Sequence, residues 1–483
     1  MIATPGNSNH RTRIAIIGGG LSGLAAAHSL AVALKPSGLD PEIVLYESRR
    51  ATGGRAGSFI DPKTGQCVDY CQHVAMGCCT NLIALIDQCG LTDQWTRHQQ
   101  LSFHHPDFPA SPFKPSSWLP APLHLLPTLG KLAYLSSRQR REIRSGTLKL
   151  MRTGSQSLRN VTAQDWLVGV GQSAETIRDY WDVVIVSALG EASRAVSMAA
   201  ARHVFVDGFL AASGASDVLI PKLPLSELFG VNLPAAVARL GVAIKLQAAV
   251  RSIDCTKDSS DKTKLNVHIG NAQESFDHVI AAVPWHQIAK VVSAPLASVA
   301  DIHPSQWASV PTSPISGVHL WFDIPITDAP HAVMVGTLSQ WLFPRPAEAS
   351  SSGHYYQVVI SAARQVRQMS NQEVTDRIVD ELRVAFPKSR GAKLLASRVV
   401  TDPQAVFSIR PEVDTIRPKS ATALPCFHLA GDFVQTGWPA TMEGAIISGR
   451  QAASSCLRSL NQPPVSISSG LHKNWLTRQL IRP

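Results

Sequence analysis

The stretch Arg13-Ile-Ala-Ile-Ile-Gly18-Gly19-Gly20-Leu-Ser22-Gly23, with the alanine-rich run Leu24–Leu34 and the segment Ile43-Val-Leu-Tyr46-Glu47 behind it, decides the fold. It reads as a short apolar strand, a glycine turn, a helix and a second strand ending in an acid. Glycines alone serve ordinary tight turns, but these have the flanks a dinucleotide cradle requires. Gly18 permits the sharp turn, Gly20 lets backbone approach a pyrophosphate, and Gly23 lets helix and strand pack closely. The helix that opens at Leu21-Ser22 presents unpaired N–H groups and a positive dipole end to phosphates. Glu47 is placed to accept hydrogen bonds from a ribose, and Lys35–Pro41 reads as a loop lengthening the unit. The expectation is an α/β chain with a Rossmann-type nucleotide domain.

A second signature, Glu47-Ser-Arg-Arg-Ala-Thr-Gly53-Gly54-Arg55-Ala-Gly-Ser58, follows at once. A third, Phe427-His-Leu-Ala430-Gly431-Asp432 and then Pro439-Ala-Thr441-Met442-Glu443-Gly444-Ala445, reads as a buried strand, a turn and a helix starting near Thr441. The three in this order resemble the FAD-binding amine oxidase and phytoene desaturase superfamily. That resemblance implies FAD and a two-dinucleotide-binding-domain flavoprotein with a discontinuous α+β substrate domain. It implies that Gly54 and Arg55 approach the pyrophosphate, where a planar guanidinium suits paired phosphate oxygens. Asp432, beside Gly431, would bind the ribityl chain or pyrophosphate, and Val250 would meet adenine through its backbone. The helix start at Thr441, Met442 and Ala445 would point at the flavin's pyrimidine edge, where the reduced cofactor carries negative charge.

The 483 residues suggest two or three structural units, and 45% hydrophobic residues suffice for a large core. By the resemblance the cofactor domain is discontinuous, over about 10–105, 225–290 and 420–460. Segments 106–224 and 291–419 form the substrate domain, and 461–483 a C-terminal tail. Val242–Ile253, Leu265–Ile269 and Phe276–Val283 read as strands. No apolar stretch reaches the eighteen or so residues of a spanning helix, and His28 interrupts one of the best. Met1–His10 has no apolar signal-peptide core and reads as a disordered leader. The expected location is cytoplasmic, with neither span nor export signal.

Five of the eight cysteines crowd into residues 67–89. No C-x2-C pair occurs there, and adjacent Cys78-Cys79 suits a shared tetrahedral ion poorly. They read as reduced thiols acting as small hydrophobes, and no metal site is expected. Phe108–Pro127 is too proline-rich for a regular core helix. Beyond it lie Leu125-Leu126, Leu129, Leu132 and Tyr134-Leu135, and then eight Lys or Arg against the single acid Glu142 between Lys131 and Arg159. Apolar anchors beside a basic cluster suit a helical segment lying on an anionic membrane surface, here the inner face of the cytoplasmic membrane. The net charge of +10 and the tail His472-Lys473-Asn-Trp475 point the same way. The alternative is a solvated basic face beside a buried stripe. No nucleic-acid module is visible.

Val68-Asp69-Tyr70-Cys71-Gln72-His73 resembles the Asp-x-Gly-x-His segment that passes the flavin in the desaturase-like branch, with Cys71 in the glycine's place. Together with Asp217–Leu228, Ser313–Asp323 and Ala430–Gly449 it resembles the squalene-associated FAD-dependent desaturases, whose assigned activity is hydroxysqualene dehydroxylation. The resemblance implies a hydrophobic isoprenoid substrate, reductive hydride transfer and an acid that assists loss of water; the sequence names no electron donor or acceptor. His73 is the candidate acid, since imidazole titrates near neutrality, and its alternative role is to hold a loop. Asp69 is expected to orient that loop. Trp321, Phe322 and Trp341 are candidates for the tunnel lining or for the core. Competing readings are a carotenoid or phytoene desaturase, a flavin amine oxidase, and a flavin-binding protein without activity. The amine oxidases often carry a lysine in the strand matching Ile315–Trp321, and none occurs here.

Overall fold

A computed structural model describes residues 11–258, 261–345 and 353–482; the leader Met1–His10 lies outside them. The quoted stretch forms the strand Arg13–Ile17 and the helix Leu21–Leu34, and the next strand is Glu42–Tyr46. They belong to a five-stranded parallel sheet in the order Ala243–Lys245, Glu42–Tyr46, Arg13–Ile17, His278–Ala281, Phe427–Leu429. Both faces are covered, so the strands are apolar at nearly every position. Ile14, Ile16, Leu45 and Ile280 pack toward the helices, while Ala15, Ile17, Val44, Val279 and Phe427 pack toward the other layer. Leu21–Leu34 and Met442–Ser459 cross on the helical face so closely that a Cβ on Gly449 would lie 2.2 Å from the Ser22 carbonyl oxygen. The opposite layer is the antiparallel sheet Val250–Lys257, Thr263–Ile269, Ala272–Phe276.

The expected strand Val242–Ile253 is broken in two. Gln247, at φ 54°, turns the chain and donates its N–H to the Arg49 carbonyl. Ala243–Lys245 therefore stays in the parallel sheet while Val250–Lys257 starts the antiparallel one.

The second domain is built on a seven-stranded sheet ordered Leu394–Phe407, Thr312–Phe322, His354–Ser361, Trp341–Pro344, Ala332–Met334, Leu101–His105, Phe108–Phe113. Leu101–His105 pairs with Ala332–Met334 and Phe108–Phe113, so the chain changes domain before Leu101 rather than at 105. The helix Asn371–Ala385, opened by a capping box from Ser370 and Glu373, lays Val374, Ile378 and Leu382 on this sheet. Phe322 and Val318 meet that stripe, so Phe322 is core, and Trp321 is fully buried with its indole N–H on Gln66 at 2.6 Å. Trp341 is half-buried, stacks on Phe343 and donates to Ser187.

The basic segment becomes the helix Ser137–Arg152, whose Arg138, Arg141, Arg144, Lys149 and Arg152 face solvent. Leu129, Leu132, Tyr134 and Leu135 do not stand free beside it as anchors. They are buried with Phe103, Phe113 and Val333, because the edge of the seven-stranded sheet must be covered. The most exposed apolar side chains here are Trp118, Leu126 and, from the tail, Trp475, at 77%, 48% and 75% exposure, with Phe108 and Leu148 also exposed. Asn474 and Thr477 both donate to the Ala121 carbonyl, which joins the tail helix Trp475–Leu480 to the Trp118 loop. Among the described residues no helix is long and apolar enough to cross a membrane.

Candidate functional site

The site is assembled where the glycine turn, the Gly53-Gly54-Arg55 loop and the Gly431-Asp432 turn meet. Gly18 has φ 111°, and a Cβ there would lie 2.6 Å from the Ala282 carbonyl oxygen; one on Gly23 would lie 1.9 Å from that of Gly18. Both positions therefore demand glycine for protein packing. Gly20 differs, for a Cβ there would meet no protein atom within 4 Å, so this face of the turn is open. The helix ladder begins with Leu24 N–H on the Gly20 carbonyl, which leaves the N–H groups of Leu21, Ser22 and Gly23 outside it. Gly53 donates to the Gly19 carbonyl at 2.8 Å, so Gly54, at φ 63°, lies against Gly20.

Glu47 is buried at 6% exposure. Its Oε2 accepts from Gly19 N–H at 2.7 Å and its Oε1 from Arg49 N–H at 2.8 Å. Ala248 donates to the Glu47 carbonyl, which brings Val250, at the head of its strand, beside the same corner. These bonds fix the carboxylate while leaving lone pairs for a further donor.

On the far side Gly431, at φ 144°, donates to the Ser448 hydroxyl, tying the turn to the helix Met442–Ser459. Thr441 caps that helix, its hydroxyl accepting from Gly444 N–H at 3.1 Å. Met442 opens the first turn, and Ala445 N–H closes it on the Thr441 carbonyl. Arg55 Nη2 lies 2.7 Å from Asp432 Oδ1, its Nη1 donates to the Ala405 carbonyl, and its guanidinium covers the Trp285 ring. Trp285, Trp307, Phe407, Val413 and Phe433 line an apolar recess behind this pair.

Sequence reasoning missed Arg417 and Glu443. Arg417 is buried and donates to the carbonyls of Asp432, Phe433 and Val434, holding the turn in shape. Glu443 accepts from the N–H groups of Asn81 and Leu82 and so caps the helix Thr80–Gln88, and burial raises its pKa. Arg417 stands in no local pattern that would mark it, and Glu443, although within the third signature, carries no local sign of the helix it caps.

Cys71 is not among the residues of positive φ, so the segment passes through this position without glycine. His73 Nδ1 lies 2.9 Å from the Cys71 carbonyl. Removal from water lowers its pKa, and Asp69 and that carbonyl partly offset the shift. Asp69 is fully buried and engaged by the Ser58 hydroxyl, Leu225 N–H and Arg345. Its carboxylate thus ties the start of this segment to Ser58, Leu225 and Arg345. All eight cysteines are unpaired.

A glycine turn open at Gly20, two helix starts, a fixed acid and an arginine–aspartate pair fit an extended dinucleotide flavin. The 15-cis-phytoene desaturase of Narcissus pseudonarcissus is 24% identical over 92% of this chain and 79% of its own length. The zeta-carotene desaturase of Synechocystis sp. is 25% identical over 92% of this chain and 97% of its own length. Among solved structures, putrescine oxidase bound to putrescine superposes with a TM-score of 0.64 at 16% identity, covering 92% of this chain and 99% of that one. A putative protoporphyrinogen oxidase from Exiguobacterium sp. gives 0.64 at 15% identity over 94% and 100%. The architecture is thus that of the FAD-dependent amine oxidases, and FAD is the cofactor. Residues 21–457 match the family of flavin-containing amine oxidoreductases, and the chain belongs to it.

Proposed function

We propose that this flavin-dependent oxidoreductase acts on a long isoprenoid and reduces hydroxysqualene to squalene. The observation that carries the reading is the set of four stretches, Val68–His73, Asp217–Leu228, Ser313–Asp323 and Ala430–Gly449, which resemble the squalene-associated branch. The desaturase relatives, named for phytoene and zeta-carotene, support a long hydrocarbon substrate over an amine. The strand Thr312–Phe322, with no lysine in its sequence, supports the same choice.

Reduced FAD, when bound, supplies the hydride that replaces the hydroxyl on its carbon. The chain's share is to hold the cofactor and to move one proton, so that the hydroxyl leaves as water. His73 is the proposed donor for the second task. Its Nδ1 rests on the Cys71 carbonyl, so Nε2 is the nitrogen that hands over a proton. A lowered pKa makes its imidazolium a stronger acid, though a less populated one at neutral pH. Asp69, paired with Arg345, supports the loop from which it would act.

A second reading, oxidative desaturation of a C40 polyene, is favoured by the relatives' own named activities. Lipid product analysis separates the two. Holoprotein with dithionite and hydroxysqualene is expected to yield squalene, and His73→Gln to slow this at least about 100-fold with FAD retained. Desaturated product from phytoene plus a quinone, without squalene formation, would favour the second reading.

The enzyme also fits a peripheral place on the inner face of the cytoplasmic membrane, where such a substrate dissolves. The contact would be Trp118, Leu126 and Trp475 with the exposed Lys114, Lys131 and Arg478 around them.

A further inference from the structure

His278, His428 and Cys456 come from three separate elements and meet beneath the parallel sheet. His278 opens the strand His278–Ala281, His428 is the middle of Phe427–Leu429, and Cys456 lies in the last turns of Met442–Ser459. The two strands are neighbours in parallel register, Ile280 opposite His428, and the imidazoles lie with ring centres 6.1 Å apart and planes 11° from parallel. All three side chains are buried, at 8%, 1% and 0% exposure. One donor atom from each falls within 4.8 Å of the other two, the one such His, Cys or acidic group found among the described residues.

The hydrogen bonds of this cluster do not close. Neither His428 nitrogen has a partner, and His278 Nδ1 has none. Core histidines kept for packing normally donate one N–H and accept at the other nitrogen, since an unpaired buried polar atom is costly. Here two stripped imidazoles converge on a thiol instead.

We propose that His278, His428 and Cys456 bind a single d10 cation, Zn2+ or Cu+, at a structural site outside the flavin cradle. Two imidazoles and one thiolate suit either ion, and neither needs redox chemistry to be held. Donor atoms no more than 4.8 Å apart need to move inward by less than about 1 Å to reach metal-bond distances of about 2.0–2.3 Å. The two ions differ in charge balance. Beside a thiolate, Cu+ leaves the site neutral, whereas Zn2+ leaves a net positive charge. Cys456 lies fourteen residues past Met442, about 20 Å along the helix from its cofactor-facing start. The ion therefore pins the distal half of that helix to the sheet and takes no part in the flavin chemistry. This site is separate from the cysteine-rich stretch 67–89.

The test uses FAD-loaded protein. After chelation and desalting it is titrated separately with Zn2+, and with Cu+ under reducing, anaerobic conditions, against a competing chromophoric chelator. Metal content is counted per chain. One ion is expected to bind at one equivalent and to raise the thermal midpoint by about 3–5 °C. Cys456→Ala and His428→Gln should each weaken it by more than the ~10–100-fold that loss of an outer-shell partner costs. Where a variant fails to retain FAD, Co2+ bound to the wild type decides, since one thiolate gives a near-ultraviolet charge-transfer band of one-ligand intensity. Preference for Zn2+ or for Cu+ identifies the ion and supports the site either way. Wild-type holoprotein that binds neither ion stoichiometrically, binding unchanged in a folded variant, or a Co2+ complex without the thiolate band overturns it.

Discussion

Arg55 and Asp432, drawn from opposite ends of the sequence, form an ion pair of 2.7 Å in which the carboxylate is buried and the guanidinium one-third exposed. The same arginine bonds the Ala405 carbonyl of the substrate domain and covers Trp285. One side chain thus links two cofactor motifs to the second domain. Arg55→Ala is expected to lower FAD affinity about 10–100-fold, because it strands a buried carboxylate. Arg55→Lys should restore only part, since a point charge cannot serve two acceptors and an aromatic face at once. Flavin fluorescence titration checks this, and equal affinities in all three proteins would contradict it.

The glycines of the turn separate into two kinds. Gly23→Ala drives a Cβ to 1.9 Å from a backbone oxygen, whereas Gly20→Ala meets no protein atom. Gly23→Ala should fail to fold or lose most of its stability. Gly20→Ala should keep the apoprotein's melting temperature within about 2 °C, a change of well under 1 kcal/mol, and lose FAD. Thermal melts of apoprotein beside FAD content decide it. A Gly20→Ala protein that keeps full FAD occupancy would refute the open-face reading.

Burial pushes His28, His319 and His331 down to about 4. In the unfolded chain each titrates near about 6.5, so between these values the unfolded state holds more protons. Their contribution to stability is complete above about pH 6.5 and is lost as the pH falls toward 4. Denaturant midpoints should be level from pH 7 to 8 and fall steeply below 6.5, by on the order of several kcal/mol for the three together. His331→Gln should remove one of the three contributions to that slope. Stability that rises on acidification to pH 5 would be inconsistent with neutral buried histidines.

Trp118 and Trp475 are held together through Ala121 and are largely exposed. Replacing both with Ser should reduce partition onto anionic vesicles by about 10-fold or more. Activity on detergent-dispersed substrate should stay unchanged. Added salt should weaken wild-type binding, as expected of basic residues near anionic headgroups. Undiminished co-sedimentation of the double variant would remove this face from the account.

The cofactor half of the site was legible because each of its signals is local. A strand, a turn that only glycine can make and a helix start lie within eleven residues, Arg13 to Gly23, and Glu47 closes the next strand. What could not be read was set across the chain. Arg417 looks like any surface arginine until three carbonyls of the Asp432 turn close on it. Leu132, Tyr134 and Leu135 show an apolar stripe, but the sequence cannot say that a sheet edge covers it. Leu101–His105 lies at the expected domain boundary, and only its strand partners assign it to the second domain. His278 and Cys456 are 178 positions apart and share no motif.

The most direct test of the central claim is an anaerobic single turnover. The purified protein's flavin is reduced stoichiometrically, hydroxysqualene is added in vesicles, and flavin absorbance is followed while the lipid is extracted for mass analysis. Reoxidation is expected, with one squalene formed per flavin. A flavin that stays reduced in the presence of hydroxysqualene, in protein that holds its full complement of FAD, would contradict it.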